Sequence, residues 1–434
     1  MINLIGVVAD DTTGANDIGI MFRKNQYTTK VVTFEDDLKL NNDSDVVIVD
    51  TDSRLDPPSV SYNRVYKATK SLMDLNCSIY FNKTCSVFRG NIGEEFDAML
   101  DALNEDFCVV ILAFPKNGRK TVDGIHTVHD KLLEDSEFAN DPVHPMTESN
   151  LVSILSKQTS RKVTSVELSV VRSGASFLKN KIAEVKKTGY NYCIVDAETQ
   201  EDLSVIAEAV KEIKVLAGSS AIAEELPKFL DKELVENPIQ TVEINDNQGV
   251  LVVSGSLTPQ TRAQTAYLIS NGVPSIIFDS RKVFDPEVRE KEISLLAEEA
   301  KSILKQGKDV LVLADNDANT VKETKEIGSK QNIDPLVISK MVSAALAEIT
   351  EQIVKDLDLK RLVVAGGDTS GTVSRKLGIK GNYVLEEIAT GVPSGLALGR
   401  DMFIVLKSGS FGKEDFLYEA INHLKNLNAK ENVN

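Results

Sequence analysis

The chain has 434 residues, and its 49 basic and 65 acidic side chains give a formal net charge of −16. With 42% hydrophobic and 26% charged residues, the composition is that of a globular protein with a sizeable core, which excludes a disordered chain. Nucleic acid is not an expected partner, because phosphate binding needs clustered Lys and Arg and the chain has no such cluster.

The beginning of the chain predicts a buried strand and not a targeting segment. MINLIGVVADD contains a short apolar run without a basic flank, and two aspartates follow the run directly. No stretch of the sequence approaches the roughly 18 consecutive apolar residues that span a bilayer. We therefore expect a soluble, cytoplasmic protein without a membrane partner.

The first half of the chain alternates short runs rich in Val and Ile with longer amphipathic stretches. This pattern is typical of a parallel sheet covered by helices. Strands are predicted over residues 4–10, 30–34, 46–51, 78–82, 107–114, 163–167, 192–196 and 215–218. Helices are predicted over residues 15–23, 59–74, 92–103, 151–157, 174–187 and 202–213. Residues 228–249 then lose the periodicity and become acidic and polar, which predicts a linker.

The alternation resumes after this linker and predicts a second α/β domain. Strands are predicted over residues 250–254, 275–278, 309–314, 361–365 and 402–406, and helices over residues 259–271, 287–305, 335–357 and 414–425. The predicted fold class is therefore α/β, with two domains of mostly parallel sheet, residues 1–235 and 248–434, and a cleft between them.

The cysteines and histidines give little sign of a metal site. Cys77, Cys85, Cys108 and Cys193 are widely spaced without a C-x-x-C pair, so we expect reduced, buried thiols. His126 and His129 could share a zinc ion, but the sequence offers no third ligand beside them.

Two adjacent carboxylates, Asp10 and Asp11, follow the first predicted strand directly. The carboxyl ends of strands in open α/β sheets are where functional groups collect. A paired carboxylate there can hold substrate hydroxyls, accept a proton or bind Mg²⁺. Helix capping is the structural alternative, and it explains one of the two carboxylates better than both.

Three cationic residues follow later strands of the first half: Arg54, Lys83 and Arg89. In an acidic chain, cations at strand ends indicate a site for an anion, most simply a carboxylate held by Arg. Surface ion pairs are the alternative for each residue taken alone. The basic segment 113–121 and the proline-flanked segment 141–145 are either further parts of this site or only turns.

Glycine-rich turns distinguish the second half and lie in residues 254–259, 364–372, 390–395 and 407–413. Glycines let a phosphate approach backbone N–H groups closely, so these turns predict the walls of a nucleotide pocket. The chain has no G-x-x-x-x-G-K-[ST] motif and no G-x-G-x-x-G after its first strand, which excludes a P-loop and a dinucleotide-binding dehydrogenase. An anion site together with a phosphate pocket indicates phosphoryl transfer to a small acidic substrate.

Seven ordered motifs resemble the four-carbon acid sugar kinase family: VVADDTTGAND, KTCSVFRGNIGEEFDAML, AFPKNGRKTVDG, GSLTPQTRAQ, AGGDTSGTVSRKLG, ATGVPSG and KSGSFG. The resemblance implies that residues 1–235 bind a sugar acid and that residues 248–434 bind ATP. It also implies transfer of the γ-phosphate to the terminal 4-hydroxyl of a tetronate. The implied ligands are therefore ATP, Mg²⁺ and a small sugar acid, and a homo-oligomer is left open.

The resemblance assigns two groups of residues. Substrate contacts are implied for Asp11, Arg54, Lys83, Thr84, Cys85 and Ser86, to which the anion argument adds Arg89. ATP contacts are implied for Ser256, Gly366, Gly367, Asp368, Thr369 and Gly409. We further expect Asp11, with Asp10 as its neighbour, to act as the catalytic base and Asp368 to hold Mg²⁺.

Two departures from the family pattern concern specificity and metal binding. Family members often have K-x-D-S-T-x-R-G where this chain has KTCSVFRG, and a glutamate at the position of Asp368. Asn16 in the G-A-N-D segment resembles threonate and erythronate kinases, so D-threonate or D-erythronate is the expected substrate. The alternatives are a 3-oxo-tetronate 4-kinase and a non-catalytic sugar-acid sensor.

Overall fold

The computed structural model describes residues 4–141, 143–231 and 247–427. The chain divides into two compact units, Met1–Pro238 and Ile239–Asn434. Buried hydrophobic residues form core clusters in the described part of each unit. Most of the linker predicted over residues 228–249 lies outside the described residues. No helix within the described ranges is long and apolar enough to cross a membrane.

The first unit consists of a parallel sheet with helices between its strands and a small antiparallel sheet. The strands are β1 (Ile5–Ala9), β2 (Thr29–Thr33), β3 (Val46–Asp50), β4 (Ile79–Lys83), β5 (Cys108–Ile111), β6 (Arg119–Val122), β7 (Ile125–Val128), β8 (Lys131–Leu132), β9 (Val163–Val166), β10 (Tyr192–Val195) and β11 (Val215–Gly218). The helices are α1 (Thr12–Arg23), α2 (Pro58–Met73), α3 (Ile92–Leu103), α4 (Leu151–Ser156), α5 (Leu168–Val171), α6 (Ala175–Lys187), α7 (Gln200–Val210) and α8 (Ile222–Glu225).

The strand order of this sheet is β2-β3-β1-β4-β11-β5-β10-β9, so that β1 lies between β3 and β4. Strand β1 pairs in parallel with both neighbours, and Ile5 aligns with Val46 on one side and Ile79 on the other. All residues of β1, β3 and β4 are buried, as expected for strands covered on both faces. The segments after these three strands therefore leave the sheet side by side.

Strands β6, β7 and β8 form a separate antiparallel sheet that the sequence analysis did not predict. Residues 113–121 are thus more than a turn: a single-turn helix, Pro115–Asn117, leads into β6. His126 of β7 lies with its Nε2 atom 2.9 Å from the carbonyl oxygen of Ser86 and donates to it. This small sheet is therefore attached to the segment that follows β4.

The second unit combines a parallel and an antiparallel part. Its strands are β12 (Leu251–Ser254), β13 (Ser275–Phe278), β14 (Val310–Ala314), β15 (Arg361–Ala365), β16 (Gly381–Ala389), β17 (Val392–Ala397) and β18 (Phe403–Lys407). Its helices are α9 (Pro259–Ser270), α10 (Pro286–Leu304), α11 (Ala318–Lys330), α12 (Pro335–Leu357), α13 (Gly367–Lys376) and α14 (Phe416–Asn426). The strand order is β13-β14-β12-β15-β18-β17-β16, and only the pairs that involve β17 are antiparallel.

The antiparallel hairpin β16–β17 changes the interpretation of residues 390–395. The sequence analysis treated them as one glycine turn, but the turn is confined to Thr390 and Gly391, and the rest is strand β17. Pro393 sits where the pairing with β16 is irregular, opposite Glu387. Proline has no N–H to donate to the ladder, so inside a sheet it is tolerated where the regular pairing is interrupted, as it is here.

Candidate active site

Three segments meet at the carboxyl edge of the first unit's sheet. Backbone hydrogen bonds continue beyond the strand ends, from Thr51 N to Ala9 O (2.9 Å) and from Asp10 N to Lys83 O (3.3 Å). The residues predicted from sequence on the segments after β1, β3 and β4 are therefore neighbours.

Arg54 joins the two adjacent aspartates. Its Nε and Nη2 atoms donate to the two carboxylate oxygens of Asp10 at 2.7 and 2.8 Å, and its Nη1 donates to Asp11 at 2.6 Å. This bidentate contact fixes the plane of the Arg54 guanidinium relative to the plane of the Asp10 carboxylate. The structure thus brings Asp10, Asp11 and Arg54 together, and the charge of Arg54 is already balanced by two carboxylates.

Asp11 is the N-cap of helix α1. Its carboxylate accepts hydrogen bonds from Gly14 N at 2.7 Å and from Thr13 Oγ1 at 3.1 Å. Burial alone would raise the pKa of Asp11, but the charges of Arg54 and Lys83 outweigh it and hold the pKa below its usual value. Asp11 therefore orders the start of α1 and remains ionised.

Lys83 and Asp17 form a buried pair next to Asp11. Lys83 Nζ lies 3.8 Å from Asp17 Oδ2 and donates to Thr84 O at 2.9 Å. Ser220 Oγ donates to Asp17 Oδ2 at 2.6 Å, whereas Asp17 Oδ1 has no hydrogen-bond partner in the described part of the chain. Burial, only partly offset by Lys83, raises the pKa of Asp17 to about 6. Asp17 is the last residue of the motif VVADDTTGAND, but its buried pairing with Lys83 and Ser220 depends on tertiary contacts that the motif does not show.

The positive charges of Arg89 and Arg54 both act on the Cys85 thiol. Arg89 Nε approaches Cys85 Sγ at 3.4 Å, and Arg89 Nη1 pairs with Asp141 Oδ2 at 2.7 Å. Burial would raise the pKa of the Cys85 thiol, yet Arg89 and Arg54 together keep it below its usual value. All four cysteines are buried and free, as predicted.

Thr84 and Ser86 complete the segment after β4. Thr84 is fully buried, and its Oγ1 has no hydrogen-bond partner among residues the structure describes. The carbonyl oxygen of Ser86 accepts from His126, whose other ring nitrogen lies 3.0 Å from Thr121 Oγ1. Burial lowers the pKa of His126 to about 3, so its ring is neutral, and both ring nitrogens are engaged by protein oxygens.

Two further buried carboxylates, those of Glu95 and Asp50, are close enough to Asp10 and Asp11 to feel their charges. Glu95 of α3 accepts from Ser53 Oγ at 2.8 Å and Ser61 Oγ at 2.5 Å, and Asp50 accepts from Thr12 Oγ1 at 2.6 Å. Burial, reinforced by Asp10, raises the pKa of Glu95 to about 8. Burial, reinforced by Asp52, raises the pKa of Asp50 to about 7.

Arg119 is a buried cation that sequence reasoning did not select. Its side chain lies in β6, and its Nη1 donates to the carbonyl oxygen of Asn117. Its Nε has no hydrogen-bond partner within the described ranges. The available signal was its place in the motif AFPKNGRKTVDG, but nothing in that motif distinguishes Arg119 from its cationic neighbours.

The second unit brings together four of the six predicted ATP residues. A Cβ atom placed on Gly409 would lie 2.6 Å from Ser256 Oγ, and one on Gly366 would lie 3.1 Å from Thr369 Oγ1 and 3.3 Å from Ser256 N. Gly366 also has a φ of 125°, which side-chain-bearing residues rarely adopt. A larger residue at either position would have to displace these neighbours, so the glycines let the turns that contain Ser256, Gly366 and Gly409 pack closely against one another.

Lys407 holds the turn that contains Gly409. It is fully buried, and its Nζ donates to Thr261 Oγ1 (2.9 Å), Ser408 O (2.7 Å) and Gly409 O (3.0 Å). The carbonyl oxygen of Gly409 also accepts from Thr258 Oγ1 at 2.6 Å. Burial lowers the pKa of Lys407 to about 7. This network fixes the conformation of the turn.

The remaining two predicted ATP residues, Gly367 and Asp368, open helix α13. A helix N-terminus with small residues is suited to phosphate oxygens. Among residues 4–141, 143–231 and 247–427, no three His, Cys, Asp or Glu side chains are grouped to hold a metal ion. A lone carboxylate such as Asp368 fits Mg²⁺, which proteins commonly bind through one or two carboxylates together with substrate phosphates.

Known proteins match this arrangement along nearly the whole chain. Residues 5–226 match the family described as a sugar-binding N-terminal domain, and residues 251–417 match a nucleotide-binding C-terminal domain. A 3-oxo-tetronate kinase from Pseudomonas savastanoi pv. phaseolicola is 31% identical over 97% of both chains. One from Haemophilus influenzae is also 31% identical, over 95% of this chain and 98% of its own.

Two solved structures share the fold. A Salmonella typhimurium LT2 protein, provisionally described as a tRNA synthase, superposes with a TM-score of 0.83 at 26% identity over 97% of this chain and 99% of its own. A Haemophilus influenzae protein gives a TM-score of 0.73 at 31% identity over 96% of this chain and all of its own. The chain therefore belongs to the four-carbon acid sugar kinase family, whose members are ATP-dependent kinases with a hydroxyl group as acceptor.

Proposed function

We propose that this enzyme uses ATP to phosphorylate the terminal 4-hydroxyl of a four-carbon sugar acid. The observation that carries the proposal is the buried group of alternating charges at the edge of the first unit's sheet, in the part of the chain that matches a sugar-binding domain. Such a group suits a small molecule with several hydroxyls and one negative charge. A cytoplasmic location accords with ATP as donor and with reduced thiols.

In this proposal, Asp11, Arg54, Lys83, Thr84, Cys85, Ser86 and Arg89 form the sugar-acid site. Arg54 acts mainly by orienting Asp10 and Asp11, since its donors are directed at their carboxylates. Ordered carboxylates can then accept hydrogen bonds from substrate hydroxyls. The unpartnered Thr84 Oγ1 is a further group for the same hydroxyls.

ATP is assigned to Ser256, Gly366, Gly367, Asp368, Thr369 and Gly409. The support is the close packing of the turns that contain Ser256, Gly366 and Gly409, together with the start of helix α13. Asp368 would hold Mg²⁺, which neutralises charge on the transferring phosphoryl group when bound. Lys407 would position the Gly409 turn without touching the nucleotide, because its three donors are used by protein oxygens.

The catalytic base is one of three carboxylates near the end of β1. Asp11 and Asp10 are the candidates from sequence, but both are engaged by Arg54. Asp17 has an oxygen without a partner in the described chain and a pKa raised by burial to about 6. A base works best when its pKa is near the working pH and it has a lone pair to offer. We therefore place Asp17 first and keep Asp11 as the alternative.

The proposed acid is 3-oxo-tetronate, with D-threonate and D-erythronate as the second choice. Relatives named 3-oxo-tetronate kinase, at 27–32% identity, support the first. Asn16 is the residue that favoured the second, but it is buried in helix α1 and donates to Thr12 O at 3.0 Å. Because Asn16 has this structural role in helix α1, its identity is weaker evidence about the substrate.

The test is a coupled ADP-release assay with each acid in turn, followed by identification of the phosphorylated carbon by NMR. We expect turnover with one or more of these acids and phosphate on carbon 4. The absence of ADP release with all of them would overturn the proposal. Calorimetric binding of an acid without turnover would instead favour a non-catalytic sensor.

A further inference from the structure

Arg119 lacks the ion-pair partner that its buried charge needs. The residue is only 6% exposed, and its guanidinium forms no ion pair with any described carboxylate. Its Nη1 reaches one backbone carbonyl, and its Nε reaches nothing in the described chain. A buried charge without a partner is costly, so it persists where another group completes it.

The other cations of this site are already neutralised. Arg54 pairs with Asp10 and Asp11, Arg89 pairs with Asp141, and Lys83 lies beside Asp17. An incoming anion would have to compete with these carboxylates. Arg119 offers a positive charge that forms no ion pair with a described carboxylate.

Arg119 lies among residues of the sugar-acid site. The charges that act on it are those of Cys85, Glu137, Asp17 and Arg89. Its strand is part of the small sheet that is anchored to Ser86 through His126. Asp17 Oδ1 and Thr84 Oγ1, two further buried atoms without partners in the described residues, belong to the same site. Unpartnered donors and acceptors of this kind are what a polar ligand would complete.

We propose that Arg119 binds the carboxylate of the sugar acid and thereby selects acids over neutral sugars. The inference rests on the proposed function and adds the group that recognises the acid end of its substrate. The Nε–H and the remaining Nη donors of Arg119 can form a two-point contact with a carboxylate. Asp17 and Thr84 would then face the hydroxyl groups.

The experiment compares full-length wild type with Arg119→Met on two substrates. One is the sugar acid that the wild type phosphorylates, and the other is the matching four-carbon polyol, which has the hydroxyls without the carboxylate. We expect kcat/KM for the acid to fall about 30- to 1,000-fold, mostly through KM, and kcat/KM for the polyol to change less than about threefold. Arg119→Lys, which keeps the charge without the planar fork, should recover part of the loss.

The matched control is Lys120→Met on the same strand. Lys120 pairs with Asp130 at 2.9 Å and is partly exposed, so its loss should leave both substrates unaffected. Melting without ligand separates binding from folding, because removal of an uncompensated buried charge should keep or raise the melting temperature. A lower melting temperature with equal losses on acid and polyol would show a structural role and overturn the inference, as would an unchanged KM for the acid.

Failure of the proposed function is visible separately. If the wild type binds the acids by calorimetry without ADP release, the kinase proposal fails, and the affinity of Arg119→Met for the acid then decides the inference. A loss of binding of about 30-fold or more supports it, and an unchanged affinity overturns it. If the wild type neither binds nor phosphorylates any of these acids, both fail.

Discussion

Asp17 differs from Asp10 and Asp11 in having a carboxylate oxygen free of hydrogen bonds to the described residues. If Asp17 is the base, kcat/KM should fall below pH 6, because protonation of a group with a pKa near 6 removes the acceptor. Asp17→Asn should lower kcat about 100-fold or more, with ATP affinity intact. The pH–rate profile of wild type and variant measures both effects.

Asp11→Asn is the comparison that decides between the two aspartates. Its main expected effects are a loss of about 1 kcal/mol of stability from the weakened cap and a higher KM for the sugar acid. Near-normal kcat in Asp17→Asn together with a steep loss in Asp11→Asn would return the role of base to Asp11.

The buried carboxyl group of Glu95 leads to a prediction about how the free energy of unfolding depends on pH. Its pKa is about 8 in the folded protein and 4.5 in an unfolded chain, so the folded state retains a proton that the unfolded state loses between these values. Stability contributed by Glu95 is therefore complete below pH 4.5 and declines as the pH rises to 8. Glu95→Gln should abolish this decline.

Urea unfolding of wild type and Glu95→Gln at pH 5, 7 and 9 measures the difference. The variant should gain on the wild type as the pH rises, because glutamine cannot ionise. Groups far from Glu95 titrate equally in both proteins and cancel in the comparison. Parallel stability curves for the two proteins would show that Glu95 is not protonated near neutral pH.

Sequence reasoning found the neighbourhood of the site but not its pairing. Asp10, Arg54, Lys83 and Arg89 could be grouped because each follows a strand of a parallel sheet. Which cation is balanced by which carboxylate depends on tertiary distances that no motif encodes. For this reason Arg54 was predicted to receive an anion, while Arg119, which has no ion pair with the described residues, was not selected.

At the scale of elements, long periodic helices were the most predictable. The bounds Ile92–Leu103 and Pro335–Leu357 agree with those predicted, because both helices bury an apolar stripe. The sheet β6–β8 and the hairpin β16–β17 were missed. Their strands carry polar residues, Gly and Pro, which favour turns over strands when only local sequence is considered.

Substitution of Gly409 tests whether its turn belongs to the predicted ATP site. A Cβ at this position would lie 2.6 Å from Ser256 Oγ and 2.8 Å from Thr258 Cγ2, so the turn must shift to accept it. Gly409→Ala should weaken ATP binding about 10-fold or more and leave sugar-acid binding unchanged, as measured by calorimetry.

Gly272→Ala is the matched control in the same unit. Gly272 also has a positive φ, 81°, but a Cβ there would meet no atom within 4 Å. Its substitution should cost about 1 kcal/mol of stability through backbone strain without affecting ATP affinity. If Gly409→Ala binds ATP as well as Gly272→Ala does, the Gly409 turn is not part of the nucleotide site.

The whole molecule must bind two anions although its formal net charge is −16. An acidic protein repels anionic ligands at long range, so binding depends on local cations. Arg119 in the first unit and Lys407 in the second are buried, and each forms hydrogen bonds but no ion pair with the described residues. In the proposed assignment, Arg119 is the cation that meets the sugar acid, whereas Lys407 acts on the nucleotide site only by holding the Gly409 turn.

Hydrogen exchange on the full-length protein tests this division of ligands. Because each unit has its own core, a ligand should slow exchange mainly where it binds. A Mg²⁺-bound, non-hydrolysable ATP analogue should protect residues 255–258, 366–370 and 408–411, and the sugar acid should protect residues 10–17, 83–89 and 119–122. The assignment would be reversed if the sugar acid protected residues 255–258, 366–370 and 408–411. It would also be reversed if the nucleotide analogue protected only residues 10–17, 83–89 and 119–122. Arg119→Met should lose the sugar-acid pattern and keep the nucleotide pattern, because its charge belongs to the first unit.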